Sequence, residues 1–206
     1  MNRPEKPTAV VKIGGSLYGT ARLDRVVAEV LAAPVPSVIV PGGGPFADAV
    51  REAQRRLGFD DRLAHRLALD AMAQAAEALA ARHARLVVAA TAAEIAAAHG
   101  AGLIPIWQPH ALRAGHPDIP ESWDVTSDSL ALWLATLRGA ARLVLVKSLD
   151  VASASPAALA AAGIVDAAFP VFAARYDGDI VIAGPAADAS LSALIAGTVA
   201  KGAQAA

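Results

Sequence analysis

Residues 10–19 read VVKIGGSLYG, and residues 38–46 read VIVPGGGPF. Each is a short β-branched run that breaks into glycines, the pattern of a buried strand entering a tight turn. Lys12 stands inside the first run, just before Gly14 and Gly15. A lysine in a strand bound for a core raises the question of what its charge serves. Glycine turns leave backbone N–H groups bare, and without a Cβ an anion can approach the main chain closely. Two such strand ends, with Lys12 beside one of them, point to an anion-binding edge. Neither turn has the GxxxxGK[ST] or the GxGxxG spacing, which excludes a P-loop and a dinucleotide fingerprint. Taken singly, each is equally a β–α turn that merely needs glycine.

Working outward, strands and helices alternate. Strands are predicted at 9–14, 36–41, 85–91, 103–107, 142–147 and 179–183. Helices are predicted at 22–32, 46–57, 61–83, 92–100 and 127–138, in a short stretch after Pro156, and at 165–175 and 187–197. Asp60 and Asp61 are capping candidates for the long helix. The alternation predicts an α/β fold, a three-layer αβα sandwich with a mostly parallel central sheet. Residues 107–122, proline-rich and irregular, are the best candidate for a boundary between two joined lobes. No internal repeat is present.

Composition narrows the function classes. The 206 residues suit one α/β domain or two tightly joined lobes. There are no cysteines, so disulfides, thiolate metal sites and cysteine nucleophiles are excluded. Formal net charge is −1 without a basic block, which argues against nucleic acid as a partner. The longest apolar stretch is interrupted by Asp70, Glu77, Arg82 and Arg85, and no membrane span is expected. The polar leader lacks the apolar core of a secretory signal, so a cytoplasmic protein is expected.

Two further clusters carry chemistry. SWDVTSDSLALWLATLRGA, residues 122–140, packs two aspartates and several hydroxyls into the start of an apolar helix. Thr126, Ser127 or Asp128 would serve as N-cap, which accounts for one polar residue of the run. LVLVKSLDV, residues 143–151, places Lys147, Ser148 and Asp150 at a strand end, where open α/β sheets bind ligands.

Strand–K-x-GGS, V-x-GGG-x-x-A, T-x-D-x-x-A and strand–K-x-x-D, in that order, resemble the amino acid kinase superfamily. This is the carbamate kinase-like fold of acetylglutamate kinase, aspartokinase, uridylate kinase and isopentenyl phosphate kinase. The resemblance runs from about residue 9 to 200. FDDRLAHRLALDAMAQAAEALA and PESWDVTSDSLALWLA are most similar to a small branch of methanogens and methylotrophs. That branch includes the kinase for 5-(aminomethyl)-3-furanmethanol phosphate in methanofuran synthesis.

The resemblance implies one kinase domain over residues 1–206, with acceptor bound over about 9–118 and nucleotide over about 119–200. It implies direct in-line transfer of the ATP γ-phosphoryl, with Mg²⁺ carried on the ATP phosphates and no dedicated protein metal site. Lys12 would contact the transferring group, Asp128 would orient it, and Lys147 would supply a second positive charge. Gly14, Gly15, Ser16, Gly42, Gly43 and Gly44 would bind phosphate, and Lys147, Ser148 and Asp150 nucleotide. Asp48, Arg62, His65, Arg66, Trp123 and Asp124 are the acceptor-site candidates, a phosphate monoester calling for cations and an aminomethyl group for a carboxylate. His65 alone reads as a structural hydrogen-bonder.

One departure stands out. Asp166 falls where acetylglutamate kinase has a late lysine, which leaves open whether Lys147 replaces that charge. Alternative readings are another acceptor (a nucleoside monophosphate, isopentenyl phosphate or an amino-acid carboxylate) or a non-catalytic nucleotide- or oxyanion-binding relative. A homodimer or higher homo-oligomer, paired through the long helix, is implied by the family.

Overall fold

A computed structural model describes residues 9–198. Of the polar leader read at residues 1–9, residues 1–8 lie outside them. Six strands form one parallel sheet: β1 (Ala9–Ile13), β2 (Ser37–Pro41), β3 (Leu86–Ala89), β4 (Ile104–Trp107), β5 (Arg142–Val146) and β6 (Asp179–Ala183). Their order is β3-β4-β2-β1-β5-β6. The chain therefore builds one side of the sheet from β1 outward, then returns across β1 to build the other. That reversal places a topological switch point at the C-terminal end of β1, the place where open α/β sheets bind ligands.

Helices cover both faces. They are α1 (Ala21–Ala32), α2 (Gly44–Leu57), α3 (Asp61–Ala80), α4 (Ala92–Gly100), α5 (Ser127–Arg138), α6 (Pro156–Ala161), α7 (Phe169–Ala173) and α8 (Leu191–Ala196). Strand side chains alternate between faces. Val10, Val38, Val40, Leu143 and Leu145 pack on one side with Leu69 and Met72 of α3 and Leu130 and Leu134 of α5. Ala9, Val11, Ile13, Val144 and Val146 pack on the other with Leu23, Val26 and Val30 of α1 and Leu191 and Ile195 of α8. The three-layer α/β sandwich with its parallel sheet is thus as read from the sequence.

Local signals account for the helix ends. Asp60 caps α3, its carboxylate accepting from Leu63 N at 2.9 Å. Thr91 and Glu94 form a reciprocal capping box on α4. Gly58 and Gly139, at φ 72° and 57°, end α2 and α5 in the left-handed conformation that favours glycine.

Several predicted elements differ in extent or type, among them the strand read at 85–91, which is only Leu86–Ala89. The long helix closes at Ala80 rather than 83, and the last predicted helix is a 3-10 turn (Pro185–Ser190) followed by α8. The helix expected at 165–175 is only α7, so Asp166 lies in the turn before it. Of the segment 107–122, Trp107 ends β4, and the rest is irregular apart from a 3-10 turn at His110–Ala114 and an isolated antiparallel bridge between His116 and Ile119; it buries Leu112 and Ile119 against the α3/α5 side of the sheet. Among the described residues no helix is long and apolar enough to cross a membrane.

Candidate active site

Parallel register brings three strand ends level: Ile13 pairs with Pro41 on one side and with Val146 on the other. Gly14, Gly42 and Lys147 therefore leave the sheet side by side. Gly14 N donates to Val146 O at 3.1 Å and Gly42 N donates to Ile13 O at 2.8 Å, extending the ladder by one bond each way.

The two glycine turns interlock. A Cβ at Gly15 would lie 2.5 Å from Gly44 N, and one at Gly42 would lie 2.5 Å from Gly15 N. Gly44 has φ +52°, and a Cβ there would run into the Tyr18 ring. Loop-to-loop contact alone requires these glycines, whatever they also bind. Gly15→Ala is expected to lower stability by about 1–3 kcal/mol, because backbone rather than a flexible side chain must yield. Urea unfolding checks this, and an unchanged midpoint would contradict the interlock.

Lys12 follows Val10 by two residues, and Lys147 follows Leu145 by two. Period-two alternation turns both lysines toward α5. There Asp128, in the first turn of α5, receives them on separate oxygens: Lys12 Nζ at 2.9 Å from Oδ1 and Lys147 Nζ at 2.6 Å from Oδ2. Lys12 and Asp128 are each 5 % exposed. Burial pushes the Asp128 carboxyl up, but the two ammonium groups outweigh it and hold the group below its ordinary value. Burial, with the Lys12 charge, holds Lys147 below the usual lysine range against the pull of Asp128.

The first turn of α5 is capped from elsewhere in the chain. Asp166 Oδ2 accepts from Thr126 N at 2.9 Å, Thr126 Oγ1 at 2.8 Å and Ser129 N at 3.0 Å, and Ser129 Oγ donates to Oδ1. Thr126 is the N-cap residue, as expected, yet its hydroxyl makes no capping bond and donates to Asp166 instead. Burial holds the Asp166 carboxyl above its ordinary value, opposed by the Ser129 hydrogen bonds.

A cavity of about 310 Å³ opens over Lys12 and the glycine turns. Gly15, Ser16, Gly42, Gly43 and Gly44 form its floor, Asp48 and Arg51 of α2 and His65 of α3 one wall, and Trp123, Thr126 and Ser127 another. The Arg51 guanidinium lies 4.4 Å from the Trp123 ring centroid and pairs with Asp48 at 3.0 Å. Trp123 Nε1 donates to Gln54 Oε1 at 2.7 Å, fixing the indole. His65 Nδ1 donates to Ser122 O at 3.1 Å, and burial lowers its pKa, consistent with a structural hydrogen-bonder that also lines the cavity.

The remaining acceptor candidates lie elsewhere. Arg62 and Arg66 do not line the cavity: their Nε atoms pair with Glu121 at 2.5 and 2.7 Å, so that carboxylate takes up their charge. Asp124 is exposed outside the cavity, its carbonyl accepting from Ala168 N at 2.9 Å. Arg51, on the helix after the GGG turn, is the arginine that lines the cavity. On the nucleotide side, Asp150 Oδ1 accepts from Ala186 N at 2.9 Å, joining the turns after β5 and β6, and Ser148 is exposed. Only four of the eighteen basic residues are lysines, at 6, 12, 147 and 201, and two of those four meet at Asp128.

Two lysines and a bare backbone cradle suit a polyphosphate. Among the described residues no group of three histidines or carboxylates is placed to hold a metal ion.

The sequence profile of the Amino acid kinase family matches residues 7–107. A curated relative, [5-(aminomethyl)furan-3-yl]methyl phosphate kinase of Methanocaldococcus jannaschii, is 29% identical over 143 residues, which is 68% of this chain. The match spans 66% of that relative's length, just under two thirds. Among solved structures, uridylate kinase from Archaeoglobus fulgidus superposes with a TM-score of 0.68 at 17% identity, over 92% of this chain and 96% of that one. UMP kinase from Bacillus anthracis gives 0.62 at 15% identity, over 94% and 93%. Those structures share the fold. The family profile over residues 7–107, the curated relative and four ordered motifs at one switch point all make the chain similar to the amino acid kinase family.

Proposed function

We propose that the protein is a small-molecule kinase that transfers the γ-phosphoryl of ATP in line to a small phosphate-monoester acceptor. The observation that carries this reading is Asp128 held between Lys12 and Lys147 beneath the two glycine turns. Phosphoryl transfer asks for positioning and charge neutralisation, not for a nucleophilic side chain. Lys12 and Lys147 supply the charge, Asp128 keeps the ammonium groups apart and aimed, and the amides of the interlocked turns face the transferring oxygens. Mg²⁺, bound on the ATP phosphates, would offset their remaining charge. Nucleotide would lie over the part after about residue 119, near Ser148 and Asp150, and acceptor over the N-terminal part.

The cavity suggests the acceptor class. Arg51 is the cation on its α2 wall, Asp48 the carboxylate it pairs with, and Trp123 the ring beneath its guanidinium; a phosphate and an amine would divide that exposed pair between them. A short aromatic phosphate carrying an amine meets all three. The name of the Methanocaldococcus jannaschii relative describes such a compound, and the acceptor proposed here is 5-(aminomethyl)-3-furanmethanol phosphate or a close analogue. A binding-only relative was suggested by Asp166 standing where a late lysine would fall. With Asp166 engaged at the α5 cap and Lys147 beside Asp128, that observation does not favour it.

The test is ATP-to-ADP turnover with Mg²⁺ across the furan phosphate, UMP, isopentenyl phosphate and N-acetylglutamate. Turnover on the furan phosphate alone is expected. Turnover only on UMP would move the acceptor to a nucleotide, and nucleotide binding without any turnover would overturn the enzyme reading. Arg51→Ala is expected to raise the acceptor KM by about tenfold or more, the size of one lost charge-assisted contact, with the ATP KM unchanged. An equal rise in both constants would remove Arg51 from the acceptor site.

A further inference from the structure

We propose that Asp166 is the positioning residue of this site: it caps α5 from forty residues away and thereby fixes Asp128 between Lys12 and Lys147. The proposal rests on the kinase reading for its effect on turnover but not for its effect on geometry.

In a helix capped by its own N-cap residue, that side chain accepts from the N–H two or three residues on. Here Thr126 and Ser129 give their N–H and hydroxyl groups to one carboxylate, Asp166, in the turn between α6 and α7. Those two residues stand two before and one after Asp128. The backbone on both sides of the lysine-binding aspartate is therefore held by a single external group. The same turn makes a second clip, Ala168 N donating to Asp124 O at 2.9 Å, next to the cavity residue Trp123. One short segment so holds both the aspartate between the lysines and the wall of the cavity.

The charged groups facing this cluster are Lys12 from β1, Lys147 after β5, Asp128 from α5 and Asp166 itself. Asp166 works through Asp128, since its hydrogen bonds go to α5 and none goes to either lysine.

The experiment compares Asp166→Ala with Asp166→Asn in the full chain. The asparagine amide can turn its oxygen to the two N–H groups and its NH₂ to the Ser129 hydroxyl, so it retains the cap without the charge. Asp166→Ala is expected to lower kcat by about 10²-fold, the scale of a catalytic group displaced by about 1 Å, with both KM values within about threefold. Asp166→Asn is expected to recover most of that loss. A cap that served folding alone would leave kcat of the folded protein unchanged in both.

A second readout needs no substrate. With four lysines in the chain, ¹⁵N-labelled side-chain ammonium signals can be assigned with Lys12→Arg and Lys147→Arg. Asp166→Ala is expected to shift or lose the Lys12 and Lys147 signals, and Asp166→Asn to keep them. Unshifted signals in folded Asp166→Ala would overturn the proposal. Failure of the wild type to turn over any acceptor would instead count against the kinase reading and leave the ammonium test standing. Where Asp166→Ala does not fold, Asp166→Glu carries the same test: its carboxylate reaches one methylene too far into α5, and an unchanged kcat with unchanged lysine signals would overturn the proposal equally.

Discussion

Lys12→Met is expected to reduce kcat by about 10²–10³-fold, the loss that follows removal of one preorganised charge from a transition state. Stability is expected to change by no more than about 1 kcal/mol, since replacing a buried charge by an apolar chain of similar volume is often neutral when the rest of the cluster stays paired. Methionine keeps the unbranched stem that continues the Val10 row of β1 toward α5. Asp128 keeps Lys147 at 2.6 Å, so no carboxylate is stranded. What disappears is the positive charge next to the glycine cradle. Steady-state kinetics with ATP and the preferred acceptor, beside urea unfolding, separate the two effects. A kcat within tenfold of wild type would take Lys12 out of the transition state. A stability loss above 3 kcal/mol would make the ion pair a structural device first.

Much of this site was legible in the sequence because it depends on short-range rules. Strand alternation places Lys12 on the face of Val10 and Lys147 on the face of Leu145, and the family resemblance linked Asp128 to Lys12, though not to Lys147. The glycine turns allowed two readings, a ligand cradle or a steric need. The interlock of Gly15, Gly42 and Gly44 shows that the steric need is present whichever ligand binds. What could not be read depends on contacts between distant segments. Glu121 is 59 and 55 residues from Arg62 and Arg66, so nothing local reveals that their charge is already taken. Asp166 sits in AAGIVDAAF, where alanine blurs helical periodicity, and a helix drawn through it points its carboxylate nowhere in particular. Only the fold brings that turn against Thr126 and Ser129 and converts a missing lysine into a cap.

Asp128→Asn is expected to cost about 3–5 kcal/mol, the price of removing one partner from a buried ionic cluster. Asparagine keeps the shape, so the loss measures charge. It leaves the Lys12 and Lys147 ammonium groups facing one another with no counter-charge between them. The pH dependence has a definite sign. In the wild type the folded Asp128 carboxyl lies below its ordinary value of 3.8, so its contribution is complete above that pH and is lost as pH falls through the folded value. Lys147 already lies below 10.5, and losing Asp128 removes a group that was raising it. In the variant the unfolded chain therefore binds more protons than the folded one between the depressed lysine value and about 10.5. Stability rises with pH wherever the unfolded state holds more protons, so the deficit should be largest near neutrality and shrink toward pH 10. Adding Lys12→Met to Asp128→Asn removes one of the two stranded charges and should restore about 1–3 kcal/mol, a coupling within the range found for residues in contact. Urea unfolding of the three variants from pH 6 to 10 reads both effects. Additive losses with a flat pH profile would mean that the lysines find water or another anion when Asp128 is gone, and that the aspartate aims them without holding them in the fold.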